Sequence, residues 1–293
     1  MKIGLLDVDS HNFPNLALMK ISKYHKMKGD DVEFINYLSN YDIVYKSKVF
    51  TYSKEENYKI NAKNIIYGGT GYNELEKILP NEIENIIPDY DLYKCKHAYG
   101  FLTRGCIRNC DWCIVYKKEG KIKSNADIED IMAGKKSAIL LDNNVLAHEH
   151  GIKQIEKIIK LKIKIDFNQG IDCRLIDNKI AEMLSQVKWL NTIRFSCDNL
   201  NNIKDIKSAI DKLRLFMPKK HFFCYVLVTN DIKDALERVL FLRENKIIPF
   251  AQSYIDYSGN KNITKEQNNF CRWVNIHKLF YSMTYDQFLE QNK

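Results

Sequence analysis

Gly100-Phe101-Leu102-Thr103-Arg104-Gly105-Cys106-Ile107-Arg108-Asn109-Cys110-Asp111-Trp112-Cys113 decides how the rest of this 293-residue chain is read. It sets three cysteines at a C-x3-C-x2-C spacing, in a loop containing Gly105. The loop follows a short apolar segment, residues 99–102, that reads as a strand. Thiolates are soft ligands, and three so close in sequence can converge on one metal centre. An iron–sulfur cubane ordinarily takes four cysteines, so three would leave one iron open to a substrate or cofactor. The alternative is a structural zinc loop with His97 or Cys95 as fourth ligand. Zinc sites commonly use two C-x2-C pairs, and this chain has one, Cys110 with Cys113.

Downstream of the loop the pattern is regular. Helices at 126–133, 152–161, 179–187, 203–215 and 232–244 alternate with apolar strands at 138–141, 163–167, 192–196, 222–228 and 247–251. With the strand at 99–102 and a C-terminal helix this makes an α/β series of six strand–helix units. Right-handed parallel crossovers would curl it into a partial (βα)6 barrel. Upstream, residues 2–8 read as a strand. Leu16, Met19, Tyr24 and Met27, with Ile21 at the edge, mark one face of a helix that Pro14 opens and Gly29 closes. Strands follow at 32–35, 43–50 and 64–67, the last running into Gly68-Gly69-Thr70-Gly71. This alternation predicts a small parallel α/β, Rossmann-like domain. The expected organisation is residues 1–88 as that domain, 89–262 as the barrel with its cysteine loop at 104–113, and 263–293 as a helix and tail packed on it. Phe270, Trp273, Ile276, Leu279 and Phe280 give the tail its apolar stripe.

The C-x3-C-x2-C spacing, with an aromatic residue just before the last cysteine, resembles the cluster loop of the radical S-adenosylmethionine (SAM) superfamily. Gly105 and Asn109 fit its flanks. The resemblance implies a [4Fe–4S] cluster on Cys106, Cys110 and Cys113, with SAM chelating the fourth iron through its amino and carboxylate groups. It further implies reductive cleavage of SAM to a 5′-deoxyadenosyl radical, fed by an external electron donor of the flavodoxin or ferredoxin type. Trp112 matches the aromatic position that lies against the adenine. The N-terminal half resembles the degenerate cobalamin-binding-like domain of one large class of the superfamily. The ligating form carries D-x-H-x-x-G after its first strand. Here Asp9-Ser10-His11-Asn12-Phe13-Pro14 keeps the Asp and His but has proline for glycine. Proline removes an N–H and fixes φ, so His11 reads as a loop histidine and cobalamin as an alternative cofactor. The chain as a whole is similar to small bacterial and phage radical SAM proteins.

Active sites in α/β barrels lie at the C-terminal ends of the strands. The resemblance implies an acidic or Gly-Gly-Glu segment after the second strand, accepting hydrogen bonds from the SAM ammonium. Asp142 and Asn143 stand there and can supply acceptors. Asn168 and Gln169 end the third strand and suit ribose hydroxyls or a substrate's polar edge. Arg174 suits the SAM carboxylate, because its fork matches two oxygens. Ser196 and Asp198 end the fourth strand, where Asp198 either faces the ribose or caps the next helix. Cys173 and Cys197 are either near the barrel mouth or small buried hydrophobes. No cysteine cluster follows residue 113, which argues against a second iron–sulfur centre.

Apolar residues make up 45% of the chain and charged residues 28%, so a buried core is expected and global disorder is excluded. No apolar run approaches a bilayer span. Asp7 and Asp9 interrupt the N-terminal segment too early for a secretory signal. The expectation is a cytoplasmic protein without membrane partners, whose eight cysteines are reduced thiols or metal ligands. Residues 1–94 carry 12 basic and 14 acidic side chains, and the remainder 33 and 23. A basic second half admits nucleic acid as a partner, against the simpler reading of a lysine-rich solvated surface. The function expected is that of a radical SAM enzyme on an unidentified substrate. The alternatives are a zinc-stabilised, non-catalytic nucleic-acid-binding protein and a cobalamin-dependent radical SAM methyltransferase.

Overall fold

The computed structural model describes residues 1–11, 13–55, 58–72, 78–256 and 263–292. Strands β1 (Lys2–Asp7), β2 (Asp31–Phe34), β3 (Asn40–Ser47) and β4 (Asn61–Gly68) form a parallel sheet in the order β2-β1-β3-β4. Helix α1 (Leu16–Met27) crosses from β1 to β2, with Asn15 capping it by accepting the Leu18 N–H. Leu18 and Ile21 of this helix pack with Ile3 and Leu5 of β1 into one small core. The third strand was expected at 43–50, but it begins at Asn40 and ends at Ser47. Its end has a local cause. Asp9 accepts both the Val49 and Phe50 N–H groups at 2.8 Å, which turns the chain out of the sheet. The short α2 (Asn81–Glu84) then leads toward the cysteine loop.

The remaining chain alternates strand and helix. β5 (Ala98–Gly100) is followed by a hairpin of β6 (Thr103–Arg104) and β7 (Lys123–Ser124) that encloses the cysteine loop and α3 (Val115–Glu119). Then come α4 (Ile128–Met132), β8 (Ser137–Leu140), α5 (Glu149–Lys160), β9 (Lys164–Phe167), α6 (Asn178–Ser185), β10 (Lys188–Trp189), β11 (Ile193–Ser196), α7 (Asn202–Phe216), β12 (Phe222–Val228), α8 (Ile232–Glu244) and β13 (Ile247–Ser253). These strands form two parallel sheets, β10-β9-β8-β5 and β11-β12-β13. The Ile171 N–H donates to the Arg194 carbonyl at 2.8 Å, and the Arg194 guanidinium pairs with Asp166, so β9 and β11 are tied together.

Burial alternates along these strands. On β12, Phe222, Cys224, Val226 and Val228 are fully buried, and Phe223, Tyr225 and Leu227 are half-buried. The buried set shares one large core with Ile155 and Ile158 of α5, Ile206 and Ile210 of α7, and Val239 and Leu242 of α8. Each such side chain contributes about 1.5–3 kcal/mol by leaving water. Because strand side chains alternate between faces, the half-buried set lies on the face turned away from the helices.

The single C-terminal helix expected from the apolar stripe is corrected to three short ones, α9 (Lys265–Asn275), α10 (His277–Ser282) and α11 (Tyr285–Gln291). The Asn275 side chain exchanges two hydrogen bonds with the Ala251 backbone, and Ile276 leaves helical geometry at φ −88°, ψ 88°. Thr264 with Gln267 and Thr284 with Gln287 form capping boxes that start α9 and α11. Phe270, Trp273 and Phe280 remain fully buried, whereas Ile276 is exposed. Among the described residues no helix is long and apolar enough to cross a membrane.

Candidate metal centre

The cysteine loop is held at its base by Glu119. One carboxylate oxygen of Glu119 accepts the Gly105 N–H at 2.8 Å and the Asn143 side-chain amide at 3.0 Å, while the other pairs with Arg104 at 2.8 Å. Gly105 has φ +81°, and a Cβ there would lie 2.5 Å from the Lys121 carbonyl oxygen and 2.7 Å from that of Gly120. Only glycine fits this approach. The loop closes through Cys106 N–H on the Gly120 carbonyl and Cys113 N–H on the Cys110 carbonyl.

All three loop thiols are half-buried and unpaired. The Cys106 sulfur accepts the Arg108 N–H at 3.3 Å and the Asn144 amide at 3.6 Å. Burial pushes the Cys110 and Cys113 thiols up; Cys110 is raised further by Cys113 and Cys106, and Cys113 by Cys106. A cationic centre among them would relieve that repulsion. Among the described residues no three His, Cys, Asp or Glu side chains gather to hold one metal ion. The other proposed zinc ligands are placed elsewhere, His97 on the Ser137 hydroxyl at 2.6 Å and Cys95 in the core.

The strand ends place the other candidates unevenly. Asp142, expected to face the SAM ammonium, is 1% exposed. It accepts the Thr103 N–H at 2.6 Å, the Thr103 hydroxyl at 2.8 Å and the Leu102 N–H at 3.2 Å. Burial raises its carboxyl to about 6 against those hydrogen bonds. Asn143 faces the loop through Glu119. The acceptor left open at this strand end is Asn144, which the sequence reading passed over. Its side chain is buried, its amide donates to Asp172 at 3.0 Å and to Cys106, and its Oδ1 has no partner.

Arg174 was expected on the SAM carboxylate. It donates through Nε to Asp172 at 2.6 Å. Arg108, inside the cysteine loop, donates to the second oxygen of the same carboxylate at 3.1 Å. Burial alone would raise Asp172, but Arg174 and Arg108 outweigh it and hold the carboxyl below its usual range. Asp172 and Arg108 were missed because they signal only as a pair of opposite charges 64 positions apart. Arg174 also lies close enough to Cys110 and Asp198 to act on both electrostatically. Ser196 and Trp112 lie near enough to Asp198 to favour its charged form; burial nevertheless pushes its carboxyl up. The structure thus brings Trp112, Arg174, Ser196 and Asp198 to the loop. Asn168 is half-buried at the end of β9 and Gln169 is exposed beside it, with no side-chain hydrogen bond to the loop among the described residues. Cys173 and Cys197 are buried in the core, and burial pushes both thiols up to about 12.

The N-terminal sheet meets this region from the other side. Lys118 of α3 donates to the Thr70 hydroxyl at 2.6 Å, and Phe13 stands edge-on to Tyr99. His11 is exposed at φ 45°, and Asp9, which would orient a cobalt-ligating histidine, is spent on the Val49 and Phe50 amides. These residues do not fit cobalt ligation by His11; Asn12, within the same motif, lies outside the described residues.

The architecture is that of an α/β protein with parallel sheets and a cysteine loop at the strands' C-terminal ends. No family model matches the chain, and no curated protein matches it. Its fold is similar to that of a solved radical S-adenosylmethionine methyltransferase, TsrM from Kitasatospora setae, determined with tryptophan substrate and the SAM analogue aza-SAM bound. The TM-score is 0.58 at 8% sequence identity, over 87% of this chain and 73% of that one.

Proposed function

We propose that this protein is a radical SAM enzyme with a [4Fe–4S] cluster on Cys106, Cys110 and Cys113. The observation that carries the reading is the three-cysteine loop, seated at the C-terminal ends of parallel strands in a chain whose fold resembles a radical SAM methyltransferase over 87% of its length. In this reading β5, β8, β9, β11, β12 and β13 with their helices are a partial (βα)6 barrel. Residues 1–88 are its N-terminal domain, 89–262 the barrel and 263–293 the C-terminal elements; the boundary at 262 lies outside the described residues.

A [4Fe–4S] cluster held by Cys106, Cys110 and Cys113 would supply the electron, received from an external flavodoxin- or ferredoxin-type donor, for the reductive cleavage of SAM. The chain's own residues bind and orient. Asn144 Oδ1, a buried acceptor without a partner, is where the SAM ammonium would find its hydrogen bond, since an orphaned buried acceptor costs about 1–3 kcal/mol. Arg174, fixed through Nε by Asp172, keeps its terminal amino groups for the SAM carboxylate. Trp112 lies near Asp198, and its ring would lie against the adenine.

Anaerobic reconstitution tests the proposal. The wild type should take up about four irons per chain with matching sulfide, and the variant carrying Cys106→Ala, Cys110→Ala and Cys113→Ala should take up none. Stoichiometric zinc without sulfide in the wild type would sink it.

A further inference from the structure

The strand face turned away from the helices carries its side chains in levels set by register. Arg194 stands beside Phe223, and one level nearer the cysteine loop Ser196 stands beside Tyr225 and Tyr225 beside Phe250. Phe223, Tyr225 and Phe250 are half-buried, while the residues alternating with them are covered by helices. Their rings form one cluster. Phe223 stacks on Phe250 at 5.9 Å and 28°, and Tyr225 is edge-on to both, at 5.0 Å and 6.1 Å. Below the cluster the Arg194 guanidinium is spent on Asp166, which also takes the Asn191 amide at 3.0 Å. Above it, Asp198 lies near both Ser196 and Trp112 of the cysteine loop.

We propose that this face is the substrate site and that it takes a flat, uncharged heteroaromatic ring. The reaction at the ring rests on the radical SAM reading; the binding does not. Clustered aromatic side chains offer both π-faces and edges, and reward a planar guest beyond the area it buries. Among the described residues the cation on this face, Arg194, is already paired with Asp166, so an anionic group would gain little there. The Ser196 and Tyr225 hydroxyls and the Asp198 carboxylate lie on the same face and suit the N–H and acceptor edge of a heterocycle. Such a ring can come from an indole side chain or from a nucleobase.

Calorimetric titration of the anaerobically reconstituted full-length protein with indole, adenine and cyclohexanecarboxamide tests this. At least one aromatic probe should bind, and whether indole or adenine binds more tightly tells the source. The saturated ring should bind at least about ten-fold more weakly. Tyr225→Leu and Phe250→Leu, which keep apolar volume and lose the flat face, should each weaken the aromatic probe by about ten-fold, and Tyr225→Phe, which keeps the ring and loses only the hydroxyl, by less. Iron content, read on the same samples, shows that the variants fold and load. No aromatic binding, equal binding of the saturated ring, or wild-type affinity in both Leu variants would overturn the proposal. Ring binding in a protein that holds no cluster would leave this inference standing and remove the radical SAM reading.

Discussion

Asp172 joins parts of the chain that are distant in sequence. Its two oxygens hold Arg108 of the cysteine loop and Arg174, and Asn144 adds a third bond. Asp172→Ala should therefore destabilise the protein by about 1–3 kcal/mol, read by urea unfolding, and should weaken SAM binding in a titration of the reconstituted protein. Asp142 gives a prediction in pH. Its folded carboxyl stands at about 6, above the unfolded value of 3.8. A raised acid holds its proton longer in the folded state, so its contribution is fully present below about 4 and is lost as pH rises through about 6. Compared with Asp142→Asn, the wild type should lose at most about 3 kcal/mol between those values; a constant difference would contradict it. The sequence shows three polar residues, Asp142-Asn143-Asn144, but not which way each turns. That is decided where β8 ends, with the Leu141 N–H on the Gly100 carbonyl as the last ladder bond.

The elements themselves were largely legible. The helix at 232–244 and the strand at 222–228 stand where hydrophobic periodicity put them, because burial on one face writes its period into the chain. What periodicity cannot carry is an interruption made by a distant partner. Asn275 ends α9 by binding the backbone of β13, and the apolar stripe runs on through the break. The cysteine loop shows the opposite case, a local signal with a local cause. Gly105→Ala would push a Cβ into the Lys121 and Gly120 carbonyls at positive φ. It should lower iron incorporation and cost about 1–3 kcal/mol in thermal unfolding. Wild-type iron content in that variant would show that the loop tolerates another path.

At the scale of the molecule, the N-terminal sheet is fastened to the rest through Asp89. It accepts the buried Ser22 hydroxyl at 2.6 Å and Lys26 at 2.7 Å, and its own N–H reaches the Met19 carbonyl. Asp89→Ala strands a buried hydroxyl and should cost about 1–3 kcal/mol; unfolding curves at two wavelengths would also show whether the sheet then melts separately. The joint needs α1 and the segment that follows α2 placed side by side. The central claim is reached most directly by the product formed from SAM. Incubated anaerobically with dithionite and SAM, the reconstituted wild type should yield 5′-deoxyadenosine and methionine, and the variant lacking Cys106, Cys110 and Cys113 should yield neither. A cluster-loaded, reducible wild type that binds SAM and leaves it intact would contradict the account.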